Sequence, residues 1–519
     1  MNSLLPRHPR LSLAVLFALL SSFLIITPHT TFAKPPKKAA ITKSSEYWMG
    51  MYMGQEKLGY TRVAMRPTRV MGNVGTEVIS DGFLKLKVLG TSTEQKSYQK
   101  TLVDAQSRPV YVLYDISSKG SRLRVEATFN YPSHTATCRI GEGKEANVKV
   151  LSIPTDASLL SDTNLLSLDS TAKPGKIITQ YYLDPISVEF QKATIEVLRK
   201  EMVQDPLSGK MVKATVAKNK MQQLEMTYWE GANGNFLRGE MSLGFLKIVM
   251  QKESRQAALG GKNTLRAEKN YVPPKDFALA TALVTDKPIP SPRELRSLKL
   301  NISGIPSKEL ILSDTAQTVE NIRETPQGMS GDYSIEATVF DATKSQSLPI
   351  KETSLQPYLA KAPYLNIESP EIIETAKRIR GEEKNLYNIA VKVRNWVSSN
   401  MTPDPSISVP RTASDIFANR RGVCRDYSTL FTAIARSAGV PTRLCGGIVY
   451  AEGLFFYHAW AECYVGDWVV FDPTLYNIEK PVEYVDATHI KFAQGDVMQM
   501  FKVVAIVGKL HIKVQQATR

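Results

Sequence analysis

From Tyr47 to about Lys269 hydrophobic and polar residues tend to alternate, with little sign of helical winding. Arg122–Tyr131 (RLRVEATFNY) puts an apolar side chain at every second position, the period of a strand with one face buried. Ala232-Asn233-Gly234-Asn235 separates Met226–Trp229 from Phe236–Arg238, and Asn-Gly supplies the positive φ angles of a tight hairpin turn. Helical periodicity is scarce throughout. The pattern predicts a β-rich domain over 46–269, made of hairpins in an antiparallel sheet or open barrel.

Two changes of pattern follow. Residues 270–293 are Pro-rich (YVPPKDF, then KPIPSPREL) and read as a linker. Residues 294–365 read as a small β connector, on the alternation of Leu298-Lys299-Leu300-Asn301-Ile302. From Ser369 the period becomes helical: Ile373, Ala376 and Ile379, then Leu386, Ile389, Ala390, Val393, Trp396 and Val397, recur at three- and four-residue steps. A third helix is predicted over Cys424–Ser437, with Leu430, Phe431, Ile434 and Ala435 inward and Gly439 as its stop. Strands are predicted over Arg443–Tyr450, Phe455–Val465 and Trp468–Asp472. The fold class is therefore α+β, with a C-terminal core over 366–496 and a strand or tail over 497–519. No internal repeat is evident.

The first 33 residues stand apart. Arg7 and Arg10 precede a largely apolar run, Leu11–Ile26, and Thr31-Phe32-Ala33 ends on the small residue of a cleavage site. The run is shorter than the roughly 20 residues of a membrane span, and Pro28 interrupts it, so an uncleaved anchor is the lesser alternative. The expectation is an exported protein (periplasmic, cell-surface or secreted) with a flexible tether over 34–45. With 43% hydrophobic and 22% charged residues the chain is a globular protein. Its net charge of +15 suits an anionic surface, an envelope polymer or an acidic protein, although scattered lysines also simply solvate a surface. Nucleic acid is not an expected partner in that compartment. Cys138, Cys424, Cys445 and Cys463 are too few for a disulfide scaffold and form no Cys-x-x-Cys pair, so no metal site is expected.

Chemistry concentrates around Cys424. Arg421-Gly422-Val423-Cys424-Arg425-Asp426-Tyr427 places a thiol at a predicted helix start, just after a glycine that permits a sharp turn into it. Free N–H groups and the helix dipole favour a thiolate at such a place, and the same N–H groups suit an oxyanion. The competing reading is a small buried core cysteine. His458, in Phe456-Tyr457-His458-Ala459-Trp460-Ala461-Glu462, favours the first, because a strand would hold it as a general base. Asp472 ends the next strand, and register can be tested. A two-residue loop pairs Val465 with Trp468 and turns Asp472 to the wrong face. A three-residue loop, Val465–Asp467, pairs Tyr464 with Trp468 and sets Asp472 opposite Trp460, diagonal to His458 and about 7–8 Å away. The three-residue loop is predicted.

The order Cys on a helix, His on a strand and Asp on the next strand, with G-V-C-R-D-Y-S, A-G-V-P-T-R, H-A-W-A-E and W-V-V-F-D-P-T, resembles the transglutaminase-like superfamily over about Pro370–Asp496. The motifs run on to Thr488-His489-Ile490-Lys491. The resemblance implies a papain-like cysteine core with Cys424, His458 and Asp472 as catalytic triad, forming a thioester from a protein or peptide amide and passing it to an amine or to water. It implies no cofactor, and no calcium-binding loop is visible. The alternative is a catalytically idle binding or assembly module of the cell envelope on the same fold. Asp426 and Gly422 are expected to act structurally near the site, Trp460 and Tyr457 to line it, and Trp468 and His489 to fill core. A Cys445–Cys463 disulfide would require neighbouring strands and a register that does not offset the two.

Overall fold

The structure, a computed structural model, describes residues 44–142, 146–155, 173–221, 224–243, 246–260, 276–337 and 339–519. The expected signal peptide, the expected tether up to residue 43 and residues 270–275 of the expected linker lie outside them. The described chain is β-rich, with about half its residues in strands. It divides into two compact units, the second of which gathers Asp276–Arg519.

The first unit is a 14-stranded antiparallel sheet. Its first eight strands follow one another as hairpins, as do its last six, and Ser45–Met53 pairs with Leu246–Glu253 to join the two runs. Among the described residues the edges are Asn147–Ser152 and Ile177–Asp184. Beside them the Lys149–Glu189 ion pair (3.3 Å) and the Phe129–Phe190 contact (6.2 Å) show the sheet curling on itself into an open barrel. The strand expected at Arg122–Tyr131 is Ser121–Asn130, with Leu123, Val125, Ala127 and Phe129 buried on one face and polar residues between them. The Asn-Gly hairpin joins Leu224–Glu230 to Phe236–Leu243, with Gly234 at φ 72°. Not every inward row is apolar: Thr93, Gln95, Ser97, Gln99 and Thr101 are all buried along one strand.

In the second unit, Pro370–Arg380 begins with proline at its first position and Ser369 before it, where the missing N–H has no intrahelical partner to lose. Leu386–Asn400 is capped by Asn385, whose side chain accepts from Asn388 N–H. Cys424–Ser437 is buried from Cys424 through Arg436, so it is a central helix of the core. A short helix, Ala413–Asn419, was not predicted; its signal was the Thr412–Asp415 capping box.

These helices accompany a four-stranded antiparallel sheet in the order Trp468–Phe471, Leu454–Tyr464, Thr442–Ala451, Ile490–Gly495. Every residue of Thr442–Ala451 is buried, as expected of a strand covered on both faces. Phe431 of the central helix stacks on Phe471 at 5.8 Å, and Ser428 Oγ donates to the Ala459 carbonyl at 3.0 Å, tying the helix to two strands. Burial of a side chain such as Phe431 is worth about 1.5–3 kcal/mol.

The connector and the C-terminal tail differ from the expected separate pieces. Ser297–Ile305 and Gly328–Glu336 of the connector share a four-stranded sheet with the C-terminal strand His511–Thr518. That sheet is joined to the other through Gln317, whose amide donates to the Lys491 carbonyl (2.9 Å) and accepts from its N–H (2.8 Å). Asp276–Arg293, expected as linker, is instead packed within the unit: Leu283 exchanges both backbone hydrogen bonds with Phe455 (2.8 and 2.9 Å), and Ile289 N–H donates to Tyr450 Oη (3.2 Å). Prolines mark an extended path equally well whether it is free or laid along a strand edge.

Candidate active site

Gly422 and Asp426 shape the start of the central helix. Asp426 Oδ2 accepts from Val423 N–H at 3.0 Å, satisfying an orphan donor, and its carboxylate pairs with the buried Arg411 and Arg425, each at 3.2 Å. Arg425 also donates to the Val409 carbonyl (2.8 Å), holding the preceding loop against the helix. Gly422 has no positive φ. Glycine is needed there for space: a Cβ would stand 2.4 Å from Asp426 Oδ2 and 2.8 Å from Arg411 Nη2. The sharp turn is thus made by close packing, which corrects the expected conformational reason.

The hairpin after His458 adopts the Tyr464↔Trp468 register. Val465 N–H donates to the Asp467 carbonyl across the three-residue loop (2.9 Å), and Gly466 at its tip has φ 120°. Asp472 follows the last paired residue, Phe471, and meets His458: Nε2 lies 2.8 Å from Asp472 Oδ2. Asp472 Oδ1 accepts the N–H groups of Thr474 (2.8 Å) and Leu475 (3.3 Å), and the Pro473 carbonyl is held by Ser398 Oγ at 2.7 Å. The carboxylate is therefore fixed from the backbone side as well as by histidine.

His458 Nδ1 makes no hydrogen bond of ordinary geometry, and the Cys424 side chain is the other group that acts on the ring. Burial opposes a charge on His458, but the charge and hydrogen bond of Asp472, with the Cys424 side chain acting on the same ring, outweigh it and push the ring up to about 10. Burial likewise opposes ionisation of Asp472, yet His458 and His489 hold it well below the usual carboxylate range. Cys424 and His458 are completely buried and Asp472 is 3% exposed. The geometry brings the three predicted side chains together, away from solvent.

The remaining expectations divide. Trp460 lies beside His458, ring centroids 6.1 Å apart, and Gly447 across the strand leaves it room, since a Cβ there would stand 2.8 Å from Trp460 Cη2. Tyr457 does not line the site: strand alternation turns it to the opposite face, where its hydroxyl donates to the Ile506 carbonyl (3.4 Å). Trp468 packs edge-on against Tyr358 at 4.9 Å and under the Arg443 guanidinium at 4.0 Å, away from the triad. His489, expected only to fill core, is buried but bonded: Nε2 lies 3.1 Å from Asp472 Oδ2. Its signal was its place in Thr-His-Ile-Lys after Asp472, which periodicity alone does not separate from an apolar strand start.

Beyond Trp460 the same strand face carries charge. Glu462 pairs with Arg443 and Lys491, each at 2.6 Å, and Asp314 joins the cluster from the loop that precedes Gln317. A cavity of about 20 Å³, room for one water, lies between this cluster and Trp460 and His489. Cys445 and Cys463 form no disulfide. Cys445 pairs with Trp460 and Cys463 with Thr442, which offsets them by three positions and turns them to opposite faces. His458, Asp472 and His489 present donor atoms within 4.8 Å of one another, the grouping a metal would need. Both histidine nitrogens already approach Asp472 Oδ2 at N–H···O distances, with protons where an ion would sit, so this set does not fit a metal.

Residues 373–473 match the transglutaminase-like superfamily, and the chain carries a domain of that kind. Among similar proteins are ML0607, an uncharacterized protein of Mycobacterium leprae (22% identical over 184 residues, 30% of this chain and 64% of that protein), and YebA, an uncharacterized protein of Bacillus subtilis (22% over 211 residues, 35% and 27%). The matches thus span less than two thirds of either relative. Among solved structures, a candidate cysteine protease from Cytophaga hutchinsonii is 17% identical with a TM-score of 0.30, covering 43% of this chain and 85% of its own. A β-barrel-like protein from Brucella abortus is 11% identical with a TM-score of 0.31, covering 41% and 95%. Among the described residues, no helix is long and apolar enough to cross a membrane.

Proposed function

We propose that the C-terminal domain is a thiol acyltransferase or amide hydrolase of an exported protein, with Cys424 as nucleophile, His458 as acid and base, and Asp472 as the group that orients His458. The observation that carries this reading is the His458–Asp472 bond of 2.8 Å with the Cys424 side chain on the same ring. In the first half-reaction Cys424 sulfur attacks an amide carbon, its N–H neighbours at the helix start receive the oxyanion, and His458 Nδ1 gives its proton to the departing amine. A thioester results. His458 then takes a proton from an amine or water, which attacks the thioester carbon and expels the sulfur. Asp472 keeps Nε2 protonated and supports the ring's charge throughout, as the third member of a triad does. Substrates would be protein or peptide amides of the envelope, and the basic chain would favour anionic surroundings.

One observation favours the alternative of an idle binding module: the nucleophile is wholly buried. An enzyme on this plan must open the loop held by Arg425, or its neighbours, to admit an amide. The deciding experiment is the pH dependence of Cys424 alkylation by iodoacetamide, read by mass spectrometry, in the unaltered protein and in His458→Ala. Labelling at pH 6–7 well above that of an ordinary thiol of pKa about 8.5, lost in His458→Ala, supports the enzyme. Labelling that follows an ordinary thiol in both proteins refutes it in favour of the binding module.

A further inference from the structure

His489 is bonded at both ring nitrogens to groups that accept. Nδ1 lies 3.1 Å from the backbone carbonyl oxygen of Asp486, and a carbonyl can only accept, so Nδ1 carries a proton. Nε2 lies 3.1 Å from Asp472 Oδ2. Asp472 is ionised, because its Oδ1 already accepts two backbone N–H groups and its Oδ2 takes His458 Nε2 at 2.8 Å. Nε2 of His489 must then donate too. A neutral imidazole has one N–H, so two donating nitrogens make His489 an imidazolium.

The surroundings agree. Asp486 carries the countercharge, its carboxylate 3.6 Å from Nδ1, and is held in turn by Arg293 at 2.6 Å and by the Thr488 N–H at 3.0 Å. Burial opposes the charge on His489, but Asp486 and Asp472 outweigh it and raise its pKa. The strand Leu454–Tyr464 presents His458, ring centroids 5.7 Å away, and the edge of Trp460 at 5.3 Å. Across the small cavity stand Asp314, Glu336, Glu462 and Lys491, of which Asp314 and Glu462 are both paired with Lys491. Charge therefore alternates in one chain: Arg293, Asp486, His489, Asp472, His458.

We propose that His489 is a positioning residue of this site: doubly protonated between Asp486 and Asp472, it fixes the Asp472 carboxylate and shares it with His458, so that its charge sets the pH range over which His458 and Cys424 act. The inference rests on the acyl-transfer reading above. A second cation on one carboxylate weakens the support that Asp472 gives to the His458 imidazolium, easing transfer of its Nδ1 proton to a leaving amine, and it favours the thiolate of the facing cysteine. Without His489 every proton in the chain is held more tightly.

The test compares Cys424 alkylation by iodoacetamide against pH in the unaltered protein, His489→Gln and His489→Leu, with circular dichroism as the check on folding. Both variants should move the acid and alkaline limbs to higher pH by about one unit. His489→Gln, which keeps an N–H donor for Asp472, should hold the plateau rate, whereas His489→Leu should lose about tenfold. Folded variants whose limbs coincide with those of the unaltered protein overturn the inference, whatever happens to the plateau. A second measurement needs no variant. Ring 15N signals of His489 in the unaltered protein, assigned through contacts with Trp460, should show two protonated nitrogens at pH 7.5. A neutral His489 in a protein whose Cys424 is activated overturns this inference alone. Ordinary labelling of Cys424 in the unaltered protein overturns the acyl-transfer reading instead, whatever the state of the ring.

Discussion

Tyr464 is paired with Trp468, and this register decides that Asp472 reaches His458. One residue less in the loop would turn Asp472 to the other face and Phe471 away from Phe431. The pairing therefore links the packing of the central helix to the orientation of the proposed base.

Asp472→Asn should keep that packing and lose the charge. The thermal unfolding midpoint should change modestly, while amide turnover, once a substrate is in hand, should fall by about 10³–10⁴-fold, as for an orienting aspartate in other triads. Turnover within a few-fold of the unaltered protein would remove Asp472 from the mechanism.

The raised pKa of His458 sets a stability window. The unfolded ring titrates near 6.5 and the folded one near 10. The contribution is therefore complete below about 6.5 and is lost as pH rises toward 10. For Asp472, held low when folded, the contribution is present above about 3.9 and lost as pH falls. Unfolding midpoints measured from pH 6 to 10 should decline in the unaltered protein and decline less in His458→Gln. Parallel curves for the two proteins would show that the ring carries no such linkage.

Asp426→Ala should be costly to stability, because it strips the helix start of its cap and leaves Arg411 and Arg425 buried without their countercharge. A loss of about 3–5 kcal/mol is expected by urea unfolding. Gly422→Ala should cost about 1–3 kcal/mol through overpacking against the same carboxylate. A neutral outcome for either would mean that the start of the helix rearranges freely.

Thiol labelling of the folded chain near neutral pH should report Cys424 and no other cysteine. Burial pushes Cys138 up to about 11 and Cys463 up to about 12, and Cys445, buried beside Glu462, is also raised. Intact-mass spectra should show one adduct, absent in Cys424→Ala. At high reagent concentration its rate should level off at the rate of site opening, since the thiol is covered in the closed form. Two or more adducts in a protein that keeps its fold would contradict this.

Local chemistry carried much of this protein into view. Alternation in Arg122–Tyr131, the Asn-Gly turn, the helical spacing from Ile373 to Val397 and the placement of Cys424, His458 and Asp472 are properties of neighbouring residues, and strand period left two registers between which the requirement that Asp472 face His458 selects the Tyr464–Trp468 pairing. Tertiary structure decided what depends on residues far apart in sequence. Tyr457 faces away from the site, and the Pro-rich segment around Leu283 is laid along Phe455. The C-terminal strand His511–Thr518 completes a sheet begun two hundred residues earlier. His489 meets Asp472 through a turn whose path the intervening residues do not encode locally, and Gly422 is required by the volume of Asp426 and Arg411, with no demand from its own backbone angles. Periodicity fixes which face a side chain takes, whereas its neighbours are set by how separate elements pack, and the second histidine on Asp472 belongs to that packing.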